Sequence, residues 1–343
     1  MDPLSLVPLA RTLVDIDSTT GQEADCGRWL VAYLRGRGFS VEEQPVSGDR
    51  FNLAVTMDPP RVMLSTHFDC VPPFFPSREA DGLLHGRGAC DAKGILAAQV
   101  CALERLRAEG VRQVGALFLV GEERGSDGAH VANGSPNVCR FLVNGEPTES
   151  RLAAATRGAL RLKLTAHGRA GHSCYPETGE SAIERLLDAL VRLRSIELPA
   201  REPLGRTHYT VGLINGGLAP NVIPPHADAE VMFRTVGATA ELMALLEPLR
   251  GLVDLDVVLD VPAMMLATVP GFDVAVFPFT TDIPFLDRWG TPLLFGPGTI
   301  RVAHTDHEHV SVAELDAAAD RYVRLANTLL ATNMGDNEMK NEE

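Results

Sequence analysis

Long apolar runs are missing from this chain: nowhere in its 343 residues does one reach the ~20 that a membrane-spanning helix needs. The opening Met1-Asp2-Pro3-Leu4 also lacks the basic start of a secretory signal. Positive charge is in short supply, with 31 Lys and Arg against 45 Asp and Glu and a formal net charge of −14. Nucleic acid and anionic membrane would repel such a chain, so neither is an expected partner. Cysteine is sparse and scattered, at Cys26, Cys70, Cys90, Cys101, Cys139 and Cys174. No two of them form a Cys-x-x-Cys pair, which excludes a zinc ribbon and a thioredoxin-type motif. Six in so long a chain do not make a disulfide scaffold. They read as reduced thiols of a cytoplasmic protein. Internal repeats are absent as well.

What is present is an ordinary globular composition, 45% hydrophobic and 22% charged, which excludes disorder, collagen and fibres. At about 100–200 residues per domain, the length fits two domains or one domain with a large insertion. Trp29, Leu30, Tyr33 and Leu34 stand at helical spacing and predict a helix over 23–35, ended by Gly36 and Gly38. Strands are expected at 51–56, 62–66, 115–120 and 141–143, with a helix over roughly 92–109 that stops at Gly110. Strands alternating with helices indicate an α/β sheet with parallel strands.

After about Arg157 the pattern changes. Leu160, Leu162 and Leu164 alternate with Arg161, Lys163 and Thr165, the mark of a half-buried strand in an antiparallel sheet. A helix at 181–194, strands near 209–214 and 229–235, a helix N-capped by Thr239 and a strand over 255–261 follow. That order, β-α-β-β-α-β, is the split βαβ unit. The α/β pattern returns with a short strand at 292–295. The last helix opens at Ser311, with Glu314 three residues on as a capping box. The expected architecture is an α/β domain made of 1–155 and 263–332, with a mostly parallel sheet flanked by helices. An inserted α+β domain occupies 156–262, and a polar, flexible tail 333–343.

Residues of metal-ligand type recur at the ends of the predicted strands. His67 and Asp69 follow the strand at 62–66, Glu122 and Glu123 the one at 115–120, and Glu146 the one at 141–143. Asp91 opens a helix after Gly86-Arg87-Gly88, and His304 follows Gly296-Pro297-Gly298. Taken singly, each is an ordinary polar residue at the start of a loop. The repetition points to one crevice at the carboxyl ends of the strands, where open α/β sheets bind ligands.

If His67, Asp91, Glu123, Glu146 and His304 are ligands, two neutral imidazoles and three carboxylates carry −3. One divalent cation leaves the set anionic. Two with a hydroxide make it neutral, which a partly buried site tolerates. Asp91 has two oxygens and can bridge cations about 3.5–4 Å apart. Imidazole and carboxylate without thiolate suit zinc, cobalt or manganese. Cys70 and Cys90 flank the site and read as small packing residues, with a zinc thiolate as the alternative. Asp69, two residues from His67 on an extended segment, can accept that ring's second N–H. Glu122 and Glu123 are adjacent, so their side chains diverge. Glu123 is assigned as ligand and Glu122 as general base and proton shuttle.

These residues carry a resemblance. Ser65-Thr66-His67-Phe68-Asp69-Cys70-Val71-Pro72 resembles the His-x-Asp motif of the aminoacylase, acetylornithine deacetylase and succinyl-diaminopimelate desuccinylase family of co-catalytic zinc metallopeptidases. Gly86 to Gly94 resembles that family's second motif, Gly121-Glu122-Glu123 its third and Gly145-Glu146-Pro147-Thr148 its fourth. Gly296-Pro297-Gly298, with Ala303-His304 and Glu308, resembles the last. The Ala-His-x-x-x-Glu register selects His304 over the neighbouring His307 and His309. The resemblance spans essentially the whole chain and implies two metal ions per chain, zinc foremost, with the ligand roles given above.

The resemblance extends to the inserted block. Gly168-Arg169-Ala170-Gly171-His172-Ser173 is similar to the family's dimerisation-domain motif. This implies a homodimer in which His172 reaches across to help bind the substrate carbonyl. The segment from Gly216 to Pro224 is similar to the one that supplies a substrate-binding Asn, here Asn221, and Arg234 matches a further substrate-binding position.

The implied function is a metallo-amidohydrolase that deacylates an N-acyl amino acid, a small-molecule substrate. Its Gly-Pro-Gly turn points to N-acetylornithine or N-acetylcitrulline. Dipeptidase, carboxypeptidase, succinyl-diaminopimelate desuccinylase and carrier-protein amino-acid hydrolase activities are the alternatives within the family. An inactive binding or regulatory homologue is the alternative from another class. Its mark would be loss of Glu122 or of a ligand, and all are present.

Overall fold

A computed structural model describes residues 5–332, and the tail expected at 333–343 lies outside the described residues. The chain forms two compact units. One comprises the chain up to Ala154 together with Leu266–Ala275 and the chain from Thr281 onward; the other comprises Ala155–Met265 and Val276–Thr280.

The first unit is built on a six-stranded sheet. Its strands are β1 (Ser40–Ser47), β2 (Arg50–Thr56), β3 (Val62–His67), β4 (Val114–Leu119), β5 (Phe141–Asn144) and β6 (Thr291–Leu294). Their order across the sheet is β1-β2-β4-β3-β5-β6. β4, β3, β5 and β6 run parallel, while β1 and β2 form an antiparallel hairpin at one edge. The parallel strands read as unbroken apolar runs because both faces are covered. Successive side chains alternate between two cores. Val62, Leu64, Ala116, Phe118, Phe141 and Val143 face α1 (Leu6–Val14), α2 (Ala24–Gly36), α3 (Lys93–Ala108) and α5 (Val312–Ala331). Met63, Leu117, Leu119 and Leu142 face α4 (Asp127–Asn133) and Trp289.

The second unit holds a four-stranded antiparallel sheet of Gly158–His167, His208–Gly216, His226–Thr235 and Asp254–Val261. Leu160, Leu162, Leu164, Val231 and Phe233 pack under helices Ala182–Arg194 and Thr239–Leu246. The architecture is therefore α/β, with a mostly parallel central sheet flanked by helices and an inserted antiparallel sheet.

Local details differ from the sequence expectations. α1, β1 and α4 add elements, and Arg78–Ala80 and Leu83–His85, just after Pro76, form a small sheet with the distant His309–Ser311. Ser311 does cap α5, accepting the Glu314 N–H at 3.4 Å. The Glu314 carboxylate, however, does not close the box. It accepts from Gly298 N–H and Ser150 Oγ, both at 2.9 Å, and so braces the Gly-Pro-Gly turn. Thr239 is the first helical residue, not the N-cap: Ala238 occupies that place, and the Thr239 hydroxyl donates to Asp260. All six cysteines are free thiols. Among the described residues, no helix is long and apolar enough to cross a membrane.

Candidate metal centre

Because β3, β4, β5 and β6 are parallel, their carboxyl ends share one edge of the sheet. His67 is the last residue of β3. Glu122 and Glu123 open a one-turn helix just after β4, and Glu146 lies two residues past β5. Asp91 precedes α3, and His304 sits in the loop after β6 with φ at +62°, a left-handed conformation that histidine tolerates better than branched residues. The sequence-distant side chains meet there. His67 Nε2 lies 3.1 Å from Asp91 Oδ1 and 4.0 Å from Glu146 Oε1. His304 Nε2 lies 2.9 Å from Glu123 Oε1 and 3.4 Å from Asp91 Oδ2. The two oxygens of Asp91 thus face different imidazoles. Donor atoms of His67, Asp91 and Glu123 all fall within 4.8 Å of one another. Every ligand candidate is buried or nearly so except His304, whose side chain is 50% exposed.

The donor set suits divalent cations. Glu146 Oε1 is buried and has no hydrogen-bond partner, an orphaned acceptor that a cation would satisfy. Burial, and then the repulsion of Glu146, pushes the Glu122 carboxyl well above its ordinary range. Burial also drives Glu146 up, only partly opposed by His67. For His67 burial works against protonation, but the hydrogen-bonded Asp69 and Asp91 outweigh it and raise its pKa. Hydrogen bonds to Asp91 and Glu123 push His304 up to about 10.

Asp69 plays a wider part than the sequence implies. His67 Nδ1 lies nearest the Asp69 backbone carbonyl, at 3.0 Å, with the carboxylate Oδ1 at 3.4 Å. The Asp69 carboxylate accepts the backbone N–H groups of Glu122 and Glu123 at 3.1 and 3.2 Å and the Thr20 hydroxyl at 2.8 Å. It therefore fixes the turn that carries both glutamates as well as the histidine.

Asp282 has no counterpart among the sequence candidates. It is fully buried, with Oδ1 unpartnered, and burial pushes its carboxyl up to about 7 against the Ser126 hydrogen bond. Its charge reaches Glu122 and Glu146. Thr281-Asp282 follows no predicted strand and sits among Pro and Phe, so no periodicity marks it. His172, Asn221 and Arg234 belong to the second unit. His172 and Asn221 are neighbours there: His172 pairs with Val222, and Ser173 N–H donates to the Asn221 carbonyl at 3.1 Å. The Arg234 guanidinium has no ion pair among the described residues, and burial lowers its pKa.

A parallel sheet with His and carboxylate donors converging at its carboxyl edge, in a chain that also carries an inserted antiparallel domain, defines a metallohydrolase. Residues 63–328 match the model of peptidase family M20/M25/M40, and the chain belongs to that family. It is 35% identical over 381 residues to a probable carboxypeptidase of Aspergillus fumigatus, covering 95% of this chain and 87% of that one. Among solved structures it resembles a tripeptidase from Staphylococcus aureus, with a TM-score of 0.82 and 19% identity over 95% of this chain and 98% of the other. A Bacillus subtilis protein described as a dinuclear metal-binding peptidase of the M20 family aligns with a TM-score of 0.73 and 14% identity over 96% and 98% of the two chains. At such identities the two structures speak for the fold alone. The fungal relative carries the name of a carboxypeptidase, not of the deacetylase that the motifs led one to expect.

Proposed function

We propose that this chain is a metal-dependent carboxypeptidase acting on short peptides. The observation that carries the hydrolytic reading is the convergence of His67, Asp91, Glu123, Glu146 and His304 beside Glu122. The name of the 35% identical relative favours a peptide over an N-acetyl amino acid.

In this reading His67, Asp91, Glu123, Glu146 and His304 would hold the pair of divalent cations. Zinc is the first choice, with cobalt or manganese able to take its place. Such a pair, when bound, polarises the scissile carbonyl and acidifies water. Glu122 accepts the proton of the attacking water. As the C–N bond breaks, it returns that proton to the leaving amine. Asp69 keeps the His67 ring and the Glu122–Glu123 turn in register. His172, contributed by the second subunit of a homodimer, donates to the developing oxyanion. Asn221 binds the substrate backbone, and Arg234, with no ion pair among the described residues, takes the free carboxylate of the C-terminal residue.

The test is a comparison of amine release from dipeptides, their C-terminally amidated forms and N-acetylornithine on zinc- or cobalt-loaded protein. Free-acid dipeptides should be cleaved at least about tenfold faster in kcat/KM than either competitor, the scale of one lost charge-assisted contact. Preference for N-acetylornithine would restore the deacylase reading. Equal cleavage of amidated peptides would rule out a carboxypeptidase.

A further inference from the structure

We infer that Glu308, with Arg87, is a positioning residue of the metal centre, a lock that joins the three segments presenting His67, Asp91 and His304 and so sets the affinity for metal. The inference rests on the metallohydrolase reading above and deepens it.

Glu308 is completely buried, four residues beyond His304. Its Oε1 accepts three backbone N–H groups, those of Gly88 at 3.0 Å, Cys90 at 3.1 Å and Asp91 at 3.0 Å. Its Oε2 accepts from the Arg87 guanidinium at 2.6 Å. The Glu308 carbonyl receives the Gly86 N–H at 3.2 Å. One residue of the His304 segment thereby grips the whole turn from Gly86 to Asp91. Arg87, itself 2% exposed, extends the grip to the loop that follows His67. Its Nε donates to the Pro73 carbonyl at 3.3 Å, its backbone N–H to Phe75 at 3.1 Å, and its guanidinium lies 5.0 Å over the Phe75 ring.

The chemistry of this lock is specific. Three N–H groups converging on one oxygen form an anion-binding nest, and the last of them belongs to Asp91. The direction of the Asp91 side chain, with one oxygen toward each imidazole, follows from where its backbone is pinned. A carboxylate at 308 adds a negative charge behind an already anionic cluster, and Arg87 cancels it. A glutamine could still feed the nest through its carbonyl oxygen, but its NH2 group would face the Arg87 N–H groups, donor against donor. An aspartate is one methylene too short to serve the nest and Arg87 together. At Gly88 a side chain has no room, because a Cβ would stand 2.7 Å from Cys70 Sγ, and with φ at +88° the turn requires glycine there.

The experiment uses full-length metal-free protein, cobalt as the probe, competition with a chromophoric chelator, and the visible spectrum of the loaded protein. Glu308→Gln and Glu308→Asp should each bind cobalt about 10–100-fold more weakly than wild type, the usual effect of residues that orient ligands, with an altered spectrum. Leu106→Ala, a core change in α3, serves as a control that lowers melting temperature without touching the lock. It should leave cobalt affinity and spectrum unchanged. If Glu308→Gln fails to fold because Arg87 is left unpaired, the double variant Arg87→Met/Glu308→Gln, which buries no lone charge, is read in the same way. Affinity equal to wild type in the Glu308 variants, or an equal loss in Leu106→Ala, overturns the inference while leaving the metallohydrolase reading intact. Wild-type protein that takes up no cobalt overturns both.

Discussion

Replacing Glu122 with Gln isolates one charge. The carboxylate makes no side-chain hydrogen bond among the described residues; it is the backbone N–H of Glu122 that Asp69 holds, and the substitution leaves that contact alone. The Gln side chain keeps the size and polarity, so the fold and the ligand set persist. Burial and the neighbouring Glu146 disfavour ionised Glu122, so the metal-free variant should be at least as stable as wild type. What disappears is the proton acceptor. General acid–base catalysis supplies about 10²–10⁴ in rate, equivalent to about 3–5 kcal/mol in the barrier, and kcat should fall by that factor with metal content unchanged. Glu123→Gln should behave differently. Its Oε1 stands 2.9 Å from His304 Nε2, so the variant loses a charged donor from the cluster, and metal content should fall along with rate. Elemental analysis of dialysed protein beside steady-state kinetics separates the two. Loss of metal in Glu122→Gln with full occupancy in Glu123→Gln would refute the division of labour between these neighbours.

Four further outcomes are expected. Purified protein should hold up to two divalent ions per chain and lose activity to chelators. Asp91→Ala should lose metal together with rate, and two retained ions with normal turnover would remove Asp91 from the centre. Mixing His172→Ala with Glu122→Gln under subunit exchange should restore about one quarter of wild-type activity, since random exchange makes half the dimers mixed with one intact site each; no recovery despite exchange would place His172 in its own subunit's site or in none. Asp282→Asn should flatten the pH dependence of metal-free stability. A buried carboxyl raised to about 7 favours the folded state while protonated, and its contribution is lost as pH rises from its unfolded value through 7, with a slope of at most about 1.4 kcal/mol per pH unit. Denaturant titrations from pH 4 to 8 should therefore show the variant gaining on wild type up to pH 7 and running parallel above it, and a constant difference would show that Asp282 does not titrate there.

The central strands are legible in the sequence because their both-sided burial demands unbroken apolar runs such as Val62-Met63-Leu64 and Gly115-Ala116-Leu117-Phe118. The inserted sheet is legible because Leu160, Leu162 and Leu164 alternate with wet neighbours. The hairpin strand β1 is not, since Ser40–Ser47 is mostly exposed and carries Glu42, Glu43 and Pro45, so its pairing with β2 leaves no hydrophobic trace. Residues that meet at the cluster announce themselves by type and by position after strands. The second tier does not. Thr20 reaches Asp69 through a contact between segments far apart in the chain, of which a hydroxyl gives no local sign; Glu308 stands in the Ala-His-x-x-x-Glu register, but nothing in the register shows that its carboxylate grips the Asp91 N–H. Glu314 shows the opposite hazard: a correct capping signal at Ser311 conceals that its carboxylate serves a turn elsewhere.

The parallel order of the sheet has a consequence for how the protein comes to life on the ribosome. His67, Asp91, Glu123 and Glu146 emerge early, whereas β6 and the loop bearing His304 emerge only after the entire inserted unit has been made. Until β6 zips alongside β5, a nascent chain presents an incomplete and strongly anionic pocket at an open sheet edge. With His304 as a proposed ligand, full metal loading would report that synthesis has passed His304, and a ribosome stalled before that point should leave a polypeptide that captures metal weakly and is exposed to proteases. Closing so distant a loop is also slow, which makes docking of β6 the natural candidate for the last step in folding.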